Sequence, residues 1–546
     1  MNKLYIILII VIPIILLAQS PRWIYHYDAG TPGSGYDEAF SLVYGQDGNI
    51  YAAGRSFDAS AGYEDFTIIS LTAVGTQRWV YRYNATNNTD WARAIVYGLD
   101  GNIYAAGKSN TYTTDDDIVV ISLTSSGAQR WVYRYNGPVN NIDDAYAIVY
   151  GTDGNIYIAG TSMSSSTNYD FVVISLTTTG SERWVYRYDG PGNSEDQANS
   201  LVYGLDGNIY AAGYSFNNVN TIDFTVISLT PSGTQRWVFL YNGSGNGWDK
   251  AFSIVCGADS NLYASGFSSD ISTYRDFSVI SLNRSGVQRW VYRCNVTPNF
   301  DEEARSVTYG ADGNIYVAGF LSGLGTMADF AVVSLTNTGT QRWFYRYNGS
   351  ANYNDEARSI AYGTDGNIYA AGFIYAETGT NTDFTAIRLT STGTQRWVYT
   401  YNGPGASPDL AHAVVFGADG NVYVAGACDS NAYENTDFLV VSLNAGTGIE
   451  ENYITNHLAQ SIFRITANTF QNRNLIYSLS TPEPTHVEFS LYNIYGEKIN
   501  YWRVLASKGT SYYVQNLSRL SQGIYFLQAK SANNAQEHLK VIITGE

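Results

Sequence analysis

Residues 47–54 read Asp-Gly-Asn-Ile-Tyr-Ala-Ala-Gly, and close copies of this octet begin at Asp100, Asp153, Asp206, Asp259, Asp312, Asp365 and Asp419. The step is 53 residues six times and then 54, so the chain is an array of eight units rather than a mosaic of unrelated segments. Two further markers keep the same period. A tryptophan within Arg-Trp-Val-Tyr or a close variant recurs at Trp23, Trp79, Trp131, Trp184, Trp237, Trp290, Trp343 and Trp397, so eight of the 11 tryptophans are one structural position. An aspartate before an apolar run recurs at Asp65, Asp117, Asp170, Asp223, Asp276, Asp329, Asp383 and Asp437.

Each unit holds four short β-like runs, seen in the second copy as 92–97, 102–107, 117–123 and 131–135, with Gly, Asn and Asp turns between them. The runs are apolar on both alternating sets of positions, as in Ile118-Val-Val-Ile-Ser-Leu123, which suits a sheet covered on both faces. A linear solenoid is the competing arrangement. The array opens with a lone strand, Trp23 to Tyr27, and stops at Leu443, one strand short of a full unit. This predicts an all-β, eight-bladed β-propeller in which the N-terminal strand completes the last blade and removes both exposed edges.

Composition agrees with an all-β chain: 47 Tyr and 52 Gly among 546 residues, with only 14% charged residues, favour strands and tight turns over exposed helices. Asp and Glu outnumber Lys and Arg by 48 to 31, and the net charge of -17 argues against nucleic acid as a partner. The three cysteines, Cys256, Cys294 and Cys428, have no CxxC spacing and read as substitutions at structural positions. Lys3, the apolar run from Leu4 to Ala18 and the small and polar residues that follow form a signal-peptide pattern over residues 1–18. No other segment is long and apolar enough to span a bilayer. The expected mature chain is secreted and carries no transmembrane segment.

The stretch Ala357 to Gly372, followed by Asp383-Phe384, resembles the bacterial β-propeller repeats often called SBBP repeats, over about residues 22–446. That family is usually described as seven-bladed, whereas the spacing here gives eight. The resemblance implies a fold and an extracellular setting, not a reaction.

After Leu443 the period stops. The expected organisation is a propeller at 19–446, a linker at 447–459 and a C-terminal Ig-like β-sandwich at 460–546, with seven candidate strands at 463–466, 475–479, 486–492, 498–504, 511–517, 523–529 and 538–543. Leu491-Tyr-Asn-Ile-Tyr-Gly496, Leu520-Ser-Gln-Gly-Ile-Tyr-Phe526 and Lys540-Val-Ile-Ile543 resemble the C-terminal sorting domain of type IX secretion. That resemblance implies export by the type IX machinery and an extracellular or outer-membrane cell-surface location.

Chain direction separates two ends of the propeller. One carries the near-constant Asp-Gly-Asn turns and the turns before each Arg-Trp, as structural turns should. The other collects the varying segments, including 55–64, 84–89, 136–142 and 161–169, and variable loops on a rigid scaffold are the usual place for recognition. An acidic residue opens each inner strand there, at Asp37, Asp90, Asp143, Asp196, Asp249, Glu302, Asp355 and Asp409. With the Asp of each Asp-Phe pair, two acidic rings are possible, which would bind calcium or attract a cationic partner, or simply accept backbone hydrogen bonds at the loop junctions.

Loop aromatics available for stacking on a glycan are Tyr36, Tyr63, Trp91, Trp248, Tyr353 and Tyr433. His26 and His412, each replacing an Arg of other repeats, read as tolerated substitutions. No cofactor is expected apart from the calcium option. The best-supported expectation is a non-catalytic adhesion or interaction scaffold for a surface protein or glycan. The alternatives are a polysaccharide hydrolase or lyase, a quinoprotein dehydrogenase, whose docking-turn Asp and adjacent Cys pair are missing here, and a purely structural surface-layer protein.

Overall fold

The computed structural model describes residues 19–445 and 464–543, apart from 30–34, 61, 87, 112, 166–167, 218–220, 270–273, 297–299, 324–325, 376–380, 405–407, 430–434, 472–473, 482–483, 494–497, 518–519, 521–522 and 532–535. The expected signal segment, linker and Tyr433 lie outside the described residues. The chain divides into two compact units, Met1–Thr447 and Gly448–Glu546.

The first unit is eight four-stranded antiparallel sheets arranged as propeller blades. In sheet one the strands run Glu38–Tyr44, Asn49–Asp58, Tyr63–Thr72 and Gln77–Tyr83, in that spatial order, and sheets two to seven repeat it. In sheet eight the fourth place is taken by the N-terminal strand Pro21–Tyr27, which pairs with Thr436–Asn444 in the register Trp23↔Ser442 to Tyr27↔Phe438. The first strands of neighbouring sheets pack beside one another throughout, and Glu38–Tyr44 of sheet one lies beside Leu410–Phe416 of sheet eight.

The repeated residues are explained by this packing. Apolar clusters span neighbouring sheets, as where Tyr51, Phe66 and Ile68 of sheet one meet Ala92, Ile103, Val119 and Leu123 of sheet two. Tyr51 donates its phenol to Asp47 Oδ2 at 2.5 Å, and Asp47 Oδ1 accepts the N–H of Asn49 at 3.1 Å, so one aspartate both closes the turn and anchors a buried tyrosine. Seven of the repeated tryptophans donate Nε1–H to a carbonyl in a turn of the next sheet, from Trp23 to Ala73 at 3.0 Å through Trp343 to Ser391 at 3.0 Å. Gly75 in the receiving turn has φ +84°, and a Cβ there would lie 2.6 Å from Trp23. Trp397 is the exception. Its buried Nε1 has no partner among the described residues.

The second unit contains a three-stranded sheet, in the order Arg464–Gln471, Asn474–Thr481, Gly509–Asn516. Its four-stranded sheet runs Lys498–Ala506, Thr485–Asn493, Gly523–Ser531, Gln536–Ile543. All seven strands expected from the sequence are present. Val487, Phe489, Leu491, Leu527 and Ala529 alternate inward to form its core, with Trp502 stacked on Phe489 at 5.1 Å.

Candidate functional site

The eight acidic residues that open the inner strands are all buried, and each receives its own loop. Asp196 accepts the N–H groups of Gly190 at 2.6 Å and Phe216 at 2.8 Å, and Asp355 accepts those of Gly349 at 2.6 Å and Tyr375 at 2.7 Å. Asp37, Asp143 and Asp409 do the same, while Asp90, Asp249 and Glu302 accept loop N–H groups from Ala85, Gly243 and Val296 among the described residues. Asp37, Asp143, Asp196, Asp355 and Asp409 thereby staple the loop before the inner strand to the strand beside it. Burial raises their proton affinity, to about 7 for Asp37 and Asp196 and to about 6 for Asp90, Asp143, Asp249, Asp355 and Asp409.

Five of the second set of aspartates are held in ion pairs. Asp65, Asp117, Asp170, Asp276 and Asp329 pair with Arg82, Arg134, Arg187, Arg293 and Arg346, the arginines of Tyr-Arg-Tyr or, at Arg293, of Tyr-Arg-Cys. His26 stands in for that arginine and reaches Asp437 at 3.9 Å. Among the described residues no three His, Cys, Asp or Glu side chains gather to hold a metal ion.

Three positions per sheet escape the repetition, and they are adjacent in space. Directly after each loop-fixing acid stand Glu38, Trp91, Asp144, Gln197, Lys250, Glu303, Glu356 and Leu410; two residues further on stand Phe40, Arg93, Tyr146, Asn199, Phe252, Arg305, Arg358 and His412. The residue after each Ala-Gly or Ser-Gly of the second strand varies likewise, from Arg55 and Lys108 to Tyr214, Phe267 and Ala427. The first and third positions are cross-strand partners, as Glu38↔Arg55 and Lys250↔Phe267. The second is a bulged residue left out of the pairing in all eight inner strands, for example Phe40 between Ala39 and Ser41. A bulge re-aims a side chain at little cost to the ladder. It depends on the invariant glycine opposite, because a Cβ on Gly54 would lie 1.8 Å from the carbonyl oxygen of Glu38.

These side chains meet from sheet to sheet as a belt on the variable-loop end of the inner strands. Arg93 pairs with Asp144 at 2.9 Å and lies over Tyr146; Lys250 lies over Tyr214 at 4.1 Å; Arg305 bridges Glu303 at 3.0 Å and Glu356 at 2.8 Å. Arg358 contacts His412 Nδ1 at 3.0 Å, and His412 Nε2 contacts Glu38 at 2.7 Å. An arginine can only donate, so His412 accepts at Nδ1 and gives its own proton to Glu38 from Nε2. Burial alone would raise the Glu38 carboxyl, but the hydrogen bond from His412 and the guanidinium of Arg55, 2.8 Å away, bring it down to about 2. His412, read from the sequence as a tolerated substitution, links Arg358 of sheet seven to Glu38 of sheet one.

The aromatic candidates divide. Trp91 sits in the belt, with Arg55, Arg93 and Lys108 over its ring at 4.6, 4.8 and 4.4 Å, and Tyr36 lies beneath Arg55 at 5.5 Å. Trp248 is 50% exposed beside Lys250. Tyr353 packs on Tyr375, and Tyr63 stands exposed at a hairpin of the same end. Apart from Trp91 and His412, sequence reasoning passed over the belt. Aligning the eight units column by column would have exposed it, since its three columns vary between columns that hardly change.

Residues 459–544 match the family described as secretion system C-terminal sorting domain, the type IX export signal. The protein is therefore exported, to the cell surface or the extracellular space. No curated protein sequence matches the chain. Among solved structures, the polysaccharide lyase Uly1 is 11% identical, with 79% of this chain and 99% of that one covered and a TM-score of 0.43. An α-L-arabinanase from Penicillium chrysogenum is 12% identical over 55% and 92% of the two chains, with a TM-score of 0.34. The β-propeller domain of the Trilobed protease from Pyrococcus furiosus is 10% identical over 69% and 92%, with a TM-score of 0.35. What those proteins act on stays with them.

Proposed function

We propose that this exported protein is a recognition module whose belt binds a glycan. In this reading residues 19–446 form an eight-bladed propeller of the SBBP type, closed by the N-terminal strand, and the C-terminal Ig-like sandwich serves export. The observation that carries the proposal is that three neighbouring positions vary from blade to blade between inner-strand positions that hardly change, and that their side chains make one run of aromatic, guanidinium and carboxylate groups. Aromatic faces beside planar charged groups are the chemistry of sugar recognition: a ring stacks on the apolar faces while hydroxyls bridge the ions. The belt carboxylates are held in ion pairs, and both nitrogens of His412 are engaged, which favours binding over proton transfer.

The test is a glycan array probed with the full exported chain, followed by titration of the best ligand against Trp91→Ala. Binding that weakens about tenfold or more in the variant supports the belt. Absence of any glycan binding contradicts it, and release of shortened oligosaccharides would make the same site that of a polysaccharide-cleaving enzyme.

A further inference from the structure

At sheets five and six the belt opens into a cleft of about 200 Å³ lined by Lys250, Phe252, Phe267, Arg275, Glu303 and Arg305. Three cations face one carboxylate there, in a chain where carboxylates outnumber cations 48 to 31. The two guanidiniums are held in place before any ligand arrives. Arg275 stacks on Phe267 at 4.8 Å and pairs with Glu303 at 2.6 Å; Arg305 stacks on Phe252 at 4.7 Å and shares the same Glu303, which is 1% exposed. One carboxylate uses only part of the five N–H donors of Arg275.

Lys250 has no ion-pair partner among the described residues, and its ammonium rests over Tyr214 at 4.1 Å and near Trp248 at 5.9 Å. An ammonium partly withdrawn from water gains most from an anion placed against it, and Trp248 offers an exposed aromatic face next to it.

Resting on the reading of the belt as a glycan site, we propose that this cleft is a subsite for a uronic acid residue of an acidic polysaccharide. Lys250 and Arg275 hold the carboxylate, and Trp248 faces the sugar ring. Bidentate capture by a preorganised guanidinium, backed by an unpaired ammonium, discriminates a carboxylate from the hydroxymethyl group of a neutral sugar.

The experiment is calorimetric titration of the full chain with tetramers of galacturonate, glucuronate and mannuronate and with their carboxyl-reduced counterparts. Lys250→Met and Arg275→Gln are measured alongside, with melting temperatures as the control for folding; the Arg275 side chain is 40% exposed, so its replacement leaves the core intact. The expected result is that at least one uronate tetramer binds, that its reduced form binds about tenfold or more weakly, and that each substitution abolishes the difference. Equal binding of acidic and reduced forms, or a preference that survives both substitutions, overturns the subsite and leaves the belt as a neutral-glycan site. No binding of any glycan overturns the belt reading as well. Binding of poly-glutamate with the same Lys250 dependence, without uronate binding, replaces the sugar by an acidic peptide and overturns the proposal.

Discussion

The two ends of the inner strands obey opposite rules. At one end, Asp47, Asn49, Tyr51 and their counterparts recur in nearly every unit, and each repeated group has a structural partner: a turn N–H, a buried phenol, a carbonyl in the next sheet. At the other end, the same strands carry Glu, Trp, Asp, Gln, Lys, Glu, Glu and Leu at one position, beside a bulge that all eight sheets keep. Repetition is what a fold requires of its own contacts. Variation within a repeated frame marks positions the fold leaves free and a ligand can use.

The largest effect expected at the structural end follows deletion of residues 19–27. This removes the fourth strand of sheet eight and the Trp23 bond to Ala73, and the melting temperature should fall by about 10 °C or more. An unchanged melting curve would show that the N-terminal strand does not complete the sheet. Trp79→Ala takes a half-buried indole and its bond to Ser125 out of the contact between sheets one and two, and should cost about 3 kcal/mol in chemical denaturation with glycan affinity unchanged. Loss of affinity in a folded Trp79 variant would erase the division between the two ends.

A smaller effect concerns the loop-fixing aspartates, whose carboxyls titrate near 6 to 7 in the folded chain and near 4 when unfolded. A folded-state value above the unfolded one means that the folded chain binds more protons. Stability from these groups is therefore fully present below about pH 4 and is lost as pH rises through 6 to 7. The melting temperature should be several degrees higher at pH 5.5 than at pH 8, and Asp196→Asn should reduce that difference. A melting temperature that rises toward pH 8 would mean that the N–H donors from Gly190 and Phe216 outweigh burial. The smallest stability change is expected for Trp91→Ala, which should leave denaturation within about 1 kcal/mol of the parent chain while weakening binding. A folding defect there would make Trp91 a core residue.

The architecture was legible because turn residues and tryptophans repeat without interruption, and because a lone strand at 23–27 matched a unit lacking one. The acids at 37, 90 and their equivalents were equally visible, but their backbone partners were not, because loop conformation decides which N–H groups fold back onto each carboxylate. The belt was harder to see, since a bulge has no residue signature of its own and places residues such as Phe40 and Arg305 beside partners on other strands. His412 looked like a lone exception because its partners Glu38 and Arg358 are 374 and 54 residues away in the chain.

Hydrogen–deuterium exchange of the full chain, with and without a saturating oligosaccharide, tests the central claim most directly. Added protection is expected at 36–41, 90–94, 248–252 and 302–306 and none at the Asp-Gly-Asn turns. Protection confined to those turns or to residues 464–543 would contradict it.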